Sequence, residues 1–298
     1  MGKVRTVLGI IGGSGVYKME GLELIREHNV KTPYGSPSDV VMEVAFKSPD
    51  TGETGTAYFI PRHGRGHVLT PSEVPYRANI YALKTLGVTH LLAVSAVGIM
   101  RESIKPGDMV IPDQIFDRTK GTRDSTFFGG GIVGHVPFAD PFSGEMRDII
   151  EKSARKVTDR LHLGGAYVCM EGPQFSTRSE SLFYRETLKP SVIGMTGIPE
   201  AKLAREAEMC YGMLALATDY DCWHDEEDDV SVDAVLKVMQ ENASTANDIV
   251  KNLVVDFPAE SSSPDLEAAK FAILTDRAKI PAEKIEELGP LYGKYLKP

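Results

Sequence analysis

The chain has 298 residues, of which 42% are hydrophobic and 25% charged, values ordinary for a globular protein with a sizeable core. Its 33 Lys and Arg residues against 42 Asp and Glu residues leave a net charge of −9, which excludes a general attraction for nucleic acid or anionic membranes. Three scattered cysteines and the lack of a membrane-length apolar run predict a cytoplasmic protein without disulfides, in which any anionic ligand is held by a local site.

Short apolar runs alternate with helical patterns along the chain. Strands are predicted at 7–11, 40–46, 56–60, 90–95, 109–112, 166–169, 192–195 and 211–218. Helices are predicted at 72–86, 144–160, 177–188, 199–208, 265–279 and 281–295, with a long amphipathic helix after Ser231. The alternation predicts an α/β fold with a parallel or mixed sheet. A turn-rich linker separates residues 1–257 from 258–298, which we interpret as a C-terminal helical extension of the same domain.

A glycine-rich segment, 9–15, directly follows the first predicted strand. Its glycines let the backbone turn sharply and present N–H groups to an anion, and Ser14 adds a hydroxyl. The spacing fits neither the dinucleotide fingerprint nor the P-loop. This segment alone therefore does not distinguish an anion site from a tight turn.

A basic segment, 61–67, follows another strand and holds two arginines and two histidines that can converge on a dianion. A solvated basic loop is the alternative. We favour an anion site led by Arg62 and His63, because the net charge is negative and α/β proteins place ligands at strand ends. Ser95 and Thr196, each at the end of a further strand, supply hydroxyls that could complete the cradle.

An acidic pair, Asp219 and Asp221, follows the strand at 211–218 and is flanked by Tyr220 and the single tryptophan, Trp223. If the strand geometry persists, both carboxylates project to one face. Two close carboxylates disfavour joint ionisation, so one of them should retain a proton more tightly than a free Asp. Such a pair can accept a hydrogen bond from an amine and donate one to a ring nitrogen.

Two neighbouring segments are weaker indicators. A glycine–proline loop at 170–177 carries Phe175, which serves either core packing or stacking on a planar base. The acidic run at 224–229 is interpreted as a solvated segment, because consecutive acids rarely point at one centre. No metal site is predicted.

Taken together, the segments resemble the trimeric purine nucleoside phosphorylase family, and most closely its 5′-methylthioadenosine phosphorylase branch. The matching stretches, which run from Gly9 to Trp223, are GIIGGSG, PRHGRGH, SAVG, HVPFADP, EGPQFSTRSE, GMTGIPEAKLAREA and TDYDCW. The resemblance implies a single α/β domain with a central mixed sheet flanked by helices. It also implies a homotrimer, and leaves open whether two trimers pair.

The resemblance also assigns roles to residues. The implied phosphate-binding positions are Ser14, Arg62, His63, Ser95, Ala96 and Thr196, with Ser at two positions where Thr is common in the branch. The implied substrate-binding positions are Phe175 and Ser176 in the base-site loop, Met195 against the ribose, Val232 and Val235 in the 5′-alkylthio pocket, and His135, which is lent to a neighbouring subunit. Asp219 and Asp221 match the catalytic pair that recognises the purine amine and N7.

The implied reaction is phosphate-dependent cleavage of 5′-methylthioadenosine to adenine and 5-methylthioribose 1-phosphate, in purine and methionine salvage. Inorganic phosphate is the co-substrate, and no metal or organic cofactor is expected. One alternative is a purine nucleoside phosphorylase for inosine, guanosine or adenosine, although an ionised carboxylate would repel a 6-oxopurine. The others are a nucleoside hydrolase and a non-catalytic nucleoside-binding protein, neither of which needs a phosphate cradle.

Overall fold

The structure is a computed structural model that describes residues 2–13, 21–48, 51–224 and 232–296. The strands are β1 (Val4–Arg5), β2 (Leu8–Gly12), β3 (Leu22–His28), β4 (Val41–Lys47), β5 (Thr54–Pro61), β6 (His90–Ile99), β7 (Met109–Ile111), β8 (Gln114–Arg118), β9 (Leu161–Leu163), β10 (Ala166–Met170), β11 (Val192–Gly194), β12 (Cys210–Asp219) and β13 (Glu260–Ser261). The α-helices are α1 (Tyr76–Thr85), α2 (Gly144–Ala154), α3 (Arg178–Phe183), α4 (Gly197–Glu206), α5 (Val232–Val255), α6 (Ala282–Glu287) and α7 (Gly289–Leu296).

Eleven of these strands form one mixed sheet in the order β3-β4-β5-β2-β6-β11-β10-β8, with β12 pairing with β6 and continuing to β7 and β9. β2 runs parallel to β6 only as far as Val94, whereas β11 joins it antiparallel at Gly98 and Ile99. The sheet therefore opens between these two pairings, beside the C-terminal half of β6. This opening positions the site described below.

Two hydrophobic cores cover the two faces of the sheet. Successive side chains of β12 alternate between them: Tyr211 and Met213 belong to one core, and Cys210 and Leu214 to the other. Helices α2 and α5 pack on the second core, and α1, α4 and α7 on the first. Because both faces are covered, β12 is buried on both sides, which explains its continuous apolar sequence.

The predicted α/β class and mixed sheet are confirmed, and each predicted strand is present. The sequence patterns missed β3 and β8, which are the two ends of the strand order. Most of their side chains are exposed, so neither strand carries the apolar run by which buried strands are recognised. The short strands β1, β9 and β13 were missed as well.

Several helix predictions need correction: the helix at 72–86 begins only at Tyr76, and the helix at 281–295 divides into α6 and α7. The helix at 144–160 is too long, since α2 ends at Ala154. The helix at 265–279 is wrong: only 3₁₀ turns form there, at Pro264–Glu267 and Arg277–Lys279. The side chains of Ser263 and Asp276 accept hydrogen bonds from nearby backbone N–H groups at 3.4 and 3.0 Å, and such local bonds compete with a continuous helix.

The C-terminal segment packs against the rest of the fold. β13 pairs with β1, and the hydroxyl of Tyr295 donates to Glu208 at 2.7 Å. The division at residue 257 stays a prediction. Among the described residues, no helix combines the length and apolar character needed to cross a membrane.

Candidate active site

A cavity of about 260 Å³ lies where the sheet opens beside β6. Its walls come from the segments that follow β2, β5, β10, β11 and β12, so chain ends distant in sequence converge there. Many of the predicted site residues line it: Arg62, His63, Ser95, Ala96, Phe175, Met195, Thr196, Asp219 and Asp221.

Arg62 forms part of one wall and is fully buried. Its Nε and Nη2 donate to the two carboxylate oxygens of Glu200 at 2.8 and 3.0 Å, which is a bidentate ion pair. Nη1 donates to the carbonyl of Val94 at 3.1 Å, and Nη2 also reaches the carbonyl of Ile11 at 3.3 Å. These contacts fix the guanidinium and use four of its five N–H groups, which leaves one on Nη1 beside Gly13.

The rest of the basic segment acts only in part as predicted, since His63 and His67 line the cavity with Arg62 but Arg65 does not. Arg65 pairs instead with Glu27 and Asp39 on the surface. The Nδ1 of His63 lies 2.9 Å from the carbonyl of Leu69, so this nitrogen carries the proton. Burial, aided by Arg62, lowers the pKa of His63 to about 4. His63 is therefore neutral near pH 7, and the convergence of four cationic side chains was wrong.

Two buried hydroxyls stand on the same wall. Ser95 Oγ lies 3.4 Å from Thr196 Oγ1, which brings the middle of β6 close to the residue that precedes α4. The backbone N–H of Thr196 donates to the hydroxyl of Tyr167 at 3.2 Å, which anchors this turn. The two hydroxyls, together with the remaining N–H of Arg62, give this wall hydrogen-bond donors that suit an anion.

The acidic pair forms another part of the cavity lining. The predicted strand geometry does not persist: the register of β12 shifts between Ala217 and Asp219, and Asp221 adopts a left-handed conformation at φ +53°. Both carboxylates nevertheless line the cavity, because the irregular turn directs them there. Asp219 accepts hydrogen bonds from the Thr218 hydroxyl at 2.7 Å and from the backbone N–H of Asp221 at 2.9 Å.

The protonation of this pair is shifted by its surroundings. Burial raises the pKa of Asp219 to about 6, and burial also raises the pKa of Asp221. Within the described part of the chain, Asp221 Oδ2 is buried without a hydrogen-bond partner. Asp219 holds a proton close to neutral pH and therefore suits proton donation. Asp221 has an unoccupied acceptor oxygen and therefore suits recognition of an amine.

The remaining surface of the cavity is apolar. Phe175 and Met195 line it, with Phe175 38% exposed and free to cover a flat ligand. Gly98 makes the close approach of β6 and β11 possible, because a Cβ there would lie 2.9 Å from Ile193 Cγ2 and 3.4 Å from Asp219 Oδ1. The cavity thus joins a wall of hydrogen-bond donors to a largely apolar cleft with an acidic edge.

Several predicted residues lie outside this cavity. Ser176 does not line it, although its carbonyl contacts Cys222 Sγ at 3.3 Å. His135 is exposed, with its backbone bonded to Ala272. Ser14 and most of the acidic run fall outside the described residues, as do the side chains of Val232 and Val235 on the first turn of α5.

Two buried charges that support the site were missed. Glu200 lies on α4 as the partner of Arg62, and also accepts from the Tyr211 hydroxyl at 2.9 Å. Arg123 Nη1 donates to the carbonyls of Met195 and Ile198 at 2.6 and 2.7 Å, which fixes the turn before α4. Glu200 could have been found from the sequence, because it is an acidic residue among the apolar positions of the helix predicted at 199–208.

Fold and cavity together define an α/β enzyme for a ligand that has an anionic part and a flat polar part. A family model described as the phosphorylase superfamily matches residues 7–255, and the chain belongs to that superfamily. The family resemblance predicted from the motifs is therefore confirmed.

Relatives across the full length agree with this assignment. The chain is 52% identical to S-methyl-5′-thioadenosine phosphorylase of Geobacter sulfurreducens, covering 98% of this chain and 100% of the relative. The protein of the same name from Chloroflexus aurantiacus is 49% identical, with 97% and 98% covered.

Solved structures show the same fold. Methylthioadenosine phosphorylase from an antarctic soil metagenomic library superposes with a TM-score of 0.86 at 46% identity, over 96% of this chain and 99% of that one. The methylthioadenosine phosphorylase of Schistosoma mansoni, in complex with adenine, gives a TM-score of 0.79 at 38% identity, over 89% and 96%.

Proposed function

We propose that this chain is an enzyme that uses inorganic phosphate to cleave 5′-methylthioadenosine, yielding adenine and 5-methylthioribose 1-phosphate. Relatives that share 46–52% of its residues over nearly the whole chain carry the name of this activity. One solved relative is in complex with methylthioadenosine itself. The single observation that carries the proposal is one cavity lined both by an arginine and hydroxyl wall and by a partly protonated acidic pair.

Phosphate would occupy the wall formed by Arg62, Ser95 and Thr196, with the remaining N–H of Arg62 and both hydroxyls as donors. His63, Ala96 and Ser14 belong to the same proposed phosphate site. A phosphate oxygen forms the new bond to C1′ of the ribose from the side opposite the base. The C1′–N9 bond breaks, and its electron pair passes to the purine.

The leaving base needs a proton and a recognised amine. Asp219 supplies a proton to N7 when its carboxyl is protonated, and Asp221 accepts from the 6-amino group. Phe175 stacks on the ring, with Ser176 in the same loop, and Met195 packs against the ribose. General acid assistance of this kind is typically worth ~10²–10⁴ in rate. Metal and organic cofactors have no part in these steps.

The proposal includes two further features, for which the structure describes no contact. The chain assembles as a homotrimer, in which exposed His135 reaches a neighbouring subunit's 5′-alkylthio pocket, lined also by Val232 and Val235. The enzyme works in the cytoplasm, in purine and methionine salvage.

The alternatives differ in what the cavity must provide. In a phosphorylase for 6-oxopurines, the 6-oxo oxygen of the base would lie against Asp221. This oxygen is a hydrogen-bond acceptor, and an ionised carboxylate repels it. A hydrolase or a passive nucleoside-binding protein would have no use for an arginine held by a buried bidentate ion pair at a cavity wall. The observed wall therefore favours phosphate as the second substrate.

The test is purine release, followed by ultraviolet absorbance with and without phosphate, on methylthioadenosine, adenosine, inosine and methylthioinosine. We expect release only with phosphate, and methylthioadenosine to be the preferred substrate over both inosine forms. Equal release without phosphate would identify a hydrolase. Preference for an inosine form would overturn the adenine assignment.

A further inference from the structure

Three potential metal ligands meet at the end of β6 opposite to the cavity. A ring nitrogen of His90, Sγ of Cys210 and a carboxylate oxygen of Glu145 all lie within 4.8 Å of one another. His90 and Cys210 are paired in register on the parallel strands β6 and β12, and α2 brings Glu145 over them. Both strand residues are fully buried, and none of the three lines the candidate active site.

The hydrogen bonds around His90 determine which nitrogen faces the cluster. Thr89 Oγ1 accepts from the N–H of Val7 at 2.9 Å and donates to its carbonyl at 3.2 Å. Thr89 Oγ1 also lies 2.9 Å from Nδ1 of His90, and this hydrogen bond turns Nε2 toward the cluster. The Phe257 ring, edge-on at 5.3 Å, holds the imidazole in this orientation.

Of the three ligand atoms of this cluster, His90 Nε2 is the one that lacks a hydrogen-bond partner among the described residues. It is buried, and Glu145 Oε2 lies 3.7 Å from it. A ring nitrogen and a carboxylate oxygen therefore face each other beside a thiol. A bound cation would satisfy all three groups at once.

The surroundings fit a site with one open position. Ser261 Oγ donates to Glu145 Oε2 at 2.6 Å and so orients the carboxylate. Ser143 Oγ is buried without a described partner, and both Ser143 and Glu145 line a second cavity of about 590 Å³ through which ions and water can enter. Imidazole, thiolate and carboxylate with a fourth, open position is a ligand set that Zn²⁺ prefers and that Mg²⁺ or Ca²⁺ does not.

We propose that His90, Cys210 and Glu145 bind one Zn²⁺ ion, with a water molecule as the fourth ligand. Binding releases the proton of the Cys210 thiol, because only the thiolate is a ligand. The ligand atoms need to close in by about 1 Å to reach the ~2.0–2.3 Å bond lengths of a tetrahedral zinc site. The site would tie the N-terminal ends of β6 and β12 to α2, independently of the proposed reaction.

The test uses the full chain, stripped of metal by a chelator and titrated with Co²⁺ as a spectroscopic probe and then with Zn²⁺. We expect one equivalent of Co²⁺ to produce the near-ultraviolet band of a thiolate bound to cobalt, and Zn²⁺ to displace it. Cys210→Ser should abolish the band. His90→Gln and Glu145→Gln should each weaken Zn²⁺ binding by at least about tenfold.

Cys169→Ser is the matched control, because Cys169 is also a buried thiol but lies outside this cluster. We expect it to keep the band and the one-to-one stoichiometry. The proposal is overturned if the wild-type chain gives no thiolate band, a result that needs no variant to fold. It is also overturned if Cys210→Ser, shown to be folded by circular dichroism, keeps the band.

Discussion

Two parts of the cavity lining, one around Arg62 and one around the acidic pair, differ in their electrostatics. On the anion-binding side, the charge of Arg62 is fully buried and matched by the two oxygens of Glu200. On the acidic side, Asp219 and Asp221 have no cationic partner among their described contacts, and burial raises the pKa of each. The first side is fixed and permanently charged, whereas the second gains or loses a proton near physiological pH. The contrast suits a site that holds a dianion on one side and hands over a proton on the other.

The largest effect on activity is expected from replacing Asp219, a titratable carboxyl of the acidic pair. Asp219→Asn keeps the shape but has no acidic proton, so kcat/KM for methylthioadenosine should fall by ~10²–10⁴. An amide can donate to a 6-oxo group, so the preference over methylthioinosine should narrow. Steady-state kinetics on both substrates measures this. Full adenine activity in Asp219→Asn would remove this carboxyl from the mechanism.

Replacing Arg62 should reduce activity less than Asp219→Asn does, but it should reduce stability strongly. Arg62→Ala should raise the phosphate KM by ~10–100-fold through loss of a charge-assisted hydrogen bond, with little change in nucleoside binding. It also leaves Glu200 buried and unpaired, which should lower the free energy of unfolding by ~3–5 kcal/mol.

The double variant Arg62→Met/Glu200→Leu separates these two consequences. It removes both charges, so it should recover most of the lost stability without recovering the phosphate KM. Denaturant unfolding and phosphate titration measure the two quantities. If phosphate affinity returned together with stability, Arg62 would be a structural residue only.

The pH dependence follows from the pKa of Asp219, which burial raises to about 6. The carboxyl is protonated below that value and ionised above it, so kcat/KM should fall by about tenfold per pH unit above pH 6. The ionisation of inorganic phosphate is common to all variants, so Asp219→Asn is the control. A profile of the same shape in wild type and variant would contradict the assignment of the proton donor.

The smallest effect is expected from His135, whose exposed side chain belongs to neither side of the cavity. If a neighbouring subunit receives it, His135→Ala should reduce use of methylthioadenosine severalfold and leave adenosine nearly unchanged. Kinetics on the two substrates, with light scattering for the oligomeric state, tests this. A fully active monomer would exclude a shared site.

On the acidic side, the prediction from sequence is correct in its result but wrong in part of its reasoning. The pair was identified from its position after a buried strand, and both residues do line the cavity. The assumed mechanism, a continuing strand, was wrong, because the register shifts before Asp219 and Asp221 takes a left-handed conformation. Sequence periodicity cannot show a bulge, since a bulge depends on what the neighbouring strand β6 offers as partners.

The α/β class, the buried strands and the family could be predicted from the sequence, because apolar runs and motifs at strand ends are local features. The pairing of Arg62 with Glu200, 138 residues away in sequence, and the turn of Arg65 to the surface could be seen only in the tertiary structure. It alone decided that His63 is neutral and that Asp219 titrates near pH 6. Ion pairing and burial arise between segments distant in sequence, so they exist only once the sheet has brought the strand ends together.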